Sequence, residues 1–133
     1  MPPALRRTLL WALAYGALGF AAGFAFGALR ELLLIPAFGD RTGHLLEFPM
    51  VTGSGCAIGV WTGGGRSKGP AFAIGVLGVL VLIAFESTMA LGIMRVSLAD
   101  YLAGYDLTRG ALFPVGLALM AFAPVIGRKF SRR

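Results

Sequence analysis

Cysteine and histidine are almost missing from this chain: Cys56 and His44 are the only ones in 133 residues. A single cysteine excludes a disulfide within the chain and any cysteine-based metal cluster, and its apolar surroundings suit a small buried hydrophobe. A single histidine leaves no Ser-His-Asp set, no HExxH and no pair of haem ligands. Beside scattered carboxylates, His44 reads as an interfacial side chain rather than a metal ligand. No cofactor or metal is expected, and catalysis has no support in the motifs. Charge is scarce too, at 14% of residues, against about 25% in a soluble domain. No internal repeat or symmetry between halves is visible, which argues against a duplicated transporter.

What the chain has in excess is apolar surface: 57% of residues are hydrophobic, and the mean hydropathy is +0.80. A soluble fold of this size could not hide it, so lipid is expected to cover part of it. Apolar runs of about 20 residues fall at four places. The expected fold is therefore all-α, a four-transmembrane-helix bundle in one domain. Its spans lie at about 8–29, 45–64, 70–94 and 110–127. The first helix is expected to continue through Arg30 and Glu31 and stop before Pro36. Pro70 suits the first turn of the third, and Pro49, Pro114 and Pro124 are candidate kinks. A signal peptide is the competing reading of the first run, but the run is too long and lacks a polar cleavage region.

The distribution of charge orients these spans. Arg6, Arg7, Arg66, Lys68, Arg128, Lys129, Arg132 and Arg133 stand on one side with no acid. Arg30, Arg41, Arg95 and Arg109 stand on the other with all six acids, a net of −2. Basic loops stay in the cytoplasm, so both termini are expected on the cytoplasmic side of the membrane. The net charge of +6 then reflects topology and anionic headgroups, and no nucleic acid is implied. The segment Thr62–Gly69 looks faintly like a phosphate loop but lacks the Gly-Lys-Ser/Thr order and a preceding strand. It reads as a cytoplasmic turn.

Gly16, Gly19, Gly23 and Gly27 make one stripe on the first helix, and Gly55, Gly59 and Gly63 make another on the second. They are expected to bring these two helices together, or else to serve a homo-oligomer or partner subunit. Leucine at Gly23 or Gly59 is expected to disturb packing more than leucine at Gly78. The third span is apolar all round and is expected to face lipid over much of its surface.

Charge inside a span is costly and needs a reason. Glu86 lies within the third span, Glu47 one turn into the second, and Arg30, Glu31 and His44 at the outer ends. One polar cluster is expected, with Arg30 facing Glu47 or Glu86. It reads as a structural pair, as a proton or ligand site, or as separate snorkelling side chains. After it, Val96, Leu98, Leu102 and Leu107, with Tyr101 and Tyr105, suit a short interfacial helix before the last span. Ser97 and Asp100 would begin it.

From Gly27 onward the motifs GALRELLLIPAFG, LLEFPM, FE at 85–86 and SLADYLAGY at 97–105 form a pattern. It resembles small four-helix bacterial inner-membrane proteins of unknown function. The resemblance implies a fold and a compartment, with Arg30, Pro36, Glu47, Pro49, Glu86 and Tyr101 at matching places, and it brings no activity. The first functional reading is an integral membrane protein without catalysis, seated in the lipid bilayer as an accessory or interaction subunit. The alternative is a small carrier or channel, proton-linked through Glu86 and Glu47.

Overall fold

The computed structural model describes residues 2–64, 66–106, 108 and 112–128. The basic residues Arg109, Lys129, Arg132 and Arg133, the interfacial Leu107, and Gly110, where the fourth span was expected to begin, lie outside them. Among the described residues all regular structure is helical.

Helix α1 (Pro3–Leu29) passes directly into a π-helical turn (Arg30–Leu34) and then α2 (Ile35–Phe38). The expected stop before Pro36 is therefore corrected. A proline cannot donate to the carbonyl four residues back. Here the preceding turn is already widened, with the Ile35 N–H bonded to the Arg30 carbonyl, and Pro36 falls in the first turn of α2. The break comes at Gly39, with φ 93°, a conformation that side chains rarely adopt. Helix α3 (Asp40–Gly63) begins on the next residue and carries Pro49 in its interior. The joint expected over Pro36–His44 thus shrinks to one glycine.

Helix α4 (Lys68–Ser87) also runs into a π-helical turn, Thr88–Ile93. The helical path ends at Ile93, Arg95 follows with a left-handed φ of 58°, and the Val96 N–H returns to the Ala90 carbonyl at 2.8 Å. Helix α5 (Leu98–Ala103) is capped by Ser97, whose hydroxyl accepts the Asp100 N–H at 3.1 Å. Helix α6 (Phe113–Gly127) has 15 residues. Pro114 stands in its first turn, where its missing N–H costs nothing, so no kink is required of it.

Helix α1 packs along α4 and α3 along α6, and the remaining faces join α4 to α6 and α1 to α3. The core is Ala12 and Tyr15 from α1, Ala71, Ile74 and Leu82 from α4, and Leu117, Met120 and Ala123 from α6. The large apolar side chains mostly face outward: Phe24 is 60% exposed, Leu32 74%, Trp61 63% and Phe122 55%. Two stretches, Pro3–Phe38 and Lys68–Ile93, are long and apolar enough to cross a membrane, with 22% of the apolar window buried in each. A core helix of a soluble domain would bury most of its apolar residues.

The expected pairing of the two glycine stripes is corrected in its partners. Gly16 lies against Gly78 and Val81 of α4, and Gly19 against Leu82 and Met120. Gly55 meets Met120, and Gly63 meets the Pro124 backbone of α6. Only Gly59 of the second stripe touches α1, through the ring of Tyr15. A methyl at Gly23 or Gly27 would meet nothing closer than 3.9 Å, whereas one at Gly78 would lie 2.5 Å from Tyr15. The expected ranking of Gly23 above Gly78 is therefore reversed. Helix α4 is not peripheral either: Gly75 sits on the Ala121 carbonyl of α6.

Candidate functional site

Three charged side chains, Arg30, Glu31 and Glu47, come together where α1 meets its π-helical turn. Arg30 opens that turn and is held between two carboxylates. Its Nη1 donates to Glu47 Oε1 of α3 at 2.8 Å, and its Nε to Glu31 Oε2 at 3.2 Å. The two contacts differ in weight. The Arg30 and Glu47 side chains are 24% and 12% exposed, while Glu31 is 61% exposed. Solvent screens the outer pair, and the inner one ties α1 to α3.

His44 does not join this group. It lies on the outward side of α3, with Nδ1 2.8 Å from the Asp40 carbonyl one turn earlier. Among the described residues, no group of three or more His, Cys, Asp or Glu side chains is placed to hold a metal ion.

Glu86, near the end of α4, is close enough to Arg30 and Glu47 to feel their charges. It makes no hydrogen bond or ion pair among the described residues. It instead lines a cavity of about 70 Å3. The walls come from α1 (Gly19, Phe20, Gly23), α3 (Phe48, Val51, Thr52), α4 (Leu82) and α6 (Phe113, Gly116, Leu117, Met120). Glu86 is the single ionisable residue of that wall, and Thr52 adds its hydroxyl. A volume of this size admits a few water molecules or one small ion.

A chain of hydroxyls runs beside it. Ser87 Oγ is 2.6 Å from Tyr101 OH, which is 2.9 Å from Tyr105 OH. Tyr105 leans edge-on against Phe113, one of the cavity walls. Burial first, then the bond to Tyr101 and the nearby charge of Glu86, push the Tyr105 phenol above its ordinary range. Helix α5 holds Tyr101, and the tight turn after it brings Tyr105 round. The sequence placed these tyrosines with a short interfacial helix; in the structure they bridge α5 to the end of α4.

No known protein family, characterised protein or solved structure matches this chain.

Two participants were not legible in the sequence. Thr52 and Ser87 are ordinary small polar residues within apolar runs, and nothing in their spacing marks them. Tyr15 is a third residue whose role was missed. It is fully buried, and its hydroxyl donates to the Met120 carbonyl at 2.6 Å. That carbonyl lies four residues before Pro124, which has no N–H to offer it. A proline late in one helix and a tyrosine in an apolar helix are the two halves of the signal.

Proposed function

We propose that this chain is a four-span protein of a bacterial inner membrane, with both termini cytoplasmic, that carries a proton at Glu86. Two long apolar helices, the outward-facing leucines and phenylalanines, and the clustering of basic residues at one end support the membrane reading. Trp11 and Trp61 stand near the start of α4 and Tyr101 and Tyr105 near its end, as aromatic belts would. The resemblance to small four-helix inner-membrane proteins points the same way.

One observation carries the functional reading: Glu86 lines a small cavity with no donor bonded to it among the described residues, while Glu47 has taken Arg30. An unpartnered carboxylate in that setting is costly, and proton uptake removes the cost. The hydroxyls of Ser87, Tyr101 and Tyr105 supply hydrogen-bonding groups beside it. The accessory-subunit reading leaned on glycine stripes open to a partner. Most of those glycines are instead filled by contacts within the chain.

The test is proton flux in vesicles containing the purified protein and a pH-sensitive dye, under an imposed potential. Wild type is expected to conduct, and Glu86→Gln to lose flux while keeping its melting temperature. Equal flux in Glu86→Gln removes Glu86 from the mechanism. Absence of flux in wild type returns the chain to the accessory reading, and recovery of a partner in mild detergent then becomes its test.

A further inference from the structure

The opposite end of the molecule holds a second pocket. It lies between the first turns of α1 and the start of α4, has a volume of about 250 Å3, and is lined by Ala4, Arg7, Thr8, Arg66, Ser67 and Pro70. Two arginines and two hydroxyl-bearing residues line it, and none of its lining residues is acidic. All six acids of the chain, at 31, 40, 47, 86, 100 and 106, belong to other segments.

Arg66 is fixed in place rather than waving in solvent. Its Nε donates to the Thr62 carbonyl at 2.6 Å, and its guanidinium carbon lies 5.1 Å from the ring centre of Trp11. Trp11 is itself braced edge-on by Trp61 at 5.3 Å. One donor of five is thus spent, and four N–H groups remain. Arg7 has no ion pair or hydrogen bond among the described residues, and its charge acts on Arg66. Burial and that like charge both lower the Arg66 pKa.

A preference for basic residues on the cytoplasmic side asks only that the charges lie on that side. It does not require two arginines to line one hollow, with one of them clamped by a carbonyl and an indole face. That arrangement holds unmatched positive charge in place, and a bound anion would relieve it. Planar, fixed guanidinium forks suit tetrahedral oxyanions better than they suit chloride. Hydroxyls from Thr8 and Ser67 supply further donors, and Ser67 makes no side-chain bond to the helix that it begins.

We infer that Arg7, Thr8, Arg66 and Ser67 form a binding site for a phosphate group, carried either by an anionic lipid headgroup or by a soluble phosphate. The site is independent of the Glu86 cavity, at the far end of α4.

The full-length protein in neutral detergent separates the two sources. Thermal unfolding is followed while sodium phosphate is added against sodium chloride of matched ionic strength. Native mass spectrometry then measures retention of phosphatidylglycerol and of phosphatidylcholine. A stabilising effect of phosphate identifies the free anion as a ligand, and selective retention of phosphatidylglycerol identifies the headgroup. In either case Arg7→Gln with Arg66→Gln should weaken binding by at least about tenfold. Arg6→Gln with Lys68→Gln removes the same charge outside the pocket and should change binding by no more than about twofold. If the arginine pair fails to fold, Arg66→Lys keeps the charge but loses the fork and the stacking, and should still weaken binding several-fold. The proposal is overturned if wild type shows neither effect, or if the Arg6 and Lys68 pair loses as much as the Arg7 and Arg66 pair.

Discussion

Tyr15 joins a defect in one helix to a donor in another. Pro124 strips the Met120 carbonyl of its helical partner, and the Tyr15 hydroxyl replaces it from α1. Tyr15→Phe should therefore destabilise the fold by about 1–3 kcal/mol, because a buried acceptor is left bare. Adding Pro124→Ala should recover part of that loss, since alanine returns an N–H to the same carbonyl. Thermal melts of the two single variants and the double variant in detergent check this; strictly additive effects would mean that the two residues are not coupled. Legibility differs by residue. Arg30, Glu47 and Glu86 stand out in the sequence because charge in an apolar run has no cheap explanation. Which carboxylate Arg30 takes was not readable, since helix rotation decides it, and the π-helical turn at Arg30 sets that rotation. His44 was grouped with them by position alone, yet its place on α3 turns it outward.

At the scale of helices, glycine decides how closely two backbones approach. A methyl at Gly63 or Gly75 would collide with the Pro124 backbone and the Ala121 carbonyl respectively, and neither can move aside like a side-chain tip. A methyl at Gly53 would meet nothing, and one at Gly23 only the edge of Val51 at 3.9 Å. Gly63→Ala and Gly75→Ala are therefore expected to destabilise by about 2 kcal/mol or more through overpacking. Gly23→Ala and Gly53→Ala should be neutral or slightly stabilising, because alanine is the better helix former. Melting temperatures of the four variants decide, and equal values across them would rule out backbone contact at α6. Spacing showed that each helix has a glycine face, but spacing cannot say which neighbour the face meets. That depends on the order of helices around the core, where α1 and α3 both turn toward later elements. The helix ends were misread for a similar reason. Pro36 is a stop signal only when the turn before it is a regular α-turn, and here that turn is π-helical.

For the whole molecule, the proposed topology makes a simple demand on reporters fused at residue 133, within 40–43 and within 66–69. They should read inside, outside and inside, and an outside reading at residue 133 would end the four-span reading. Such spans would not be of equal length. Helix α6 has 15 residues, about 22 Å at 1.5 Å per residue, against a hydrocarbon layer of about 30 Å. The stretch from Pro3 to Phe38 has 36 and overshoots the same layer. A molecule built from one short stave and one long one cannot match any single thickness of lipid. In the proposed topology it would pinch the bilayer beside α6 and tilt or emerge beside α1, at a fraction of a kcal/mol for each ångström of misfit. Lipids around it would then be unequal, thin and strained on one flank and relaxed on the other. The protein would tend to settle where membranes are already thin or easily deformed.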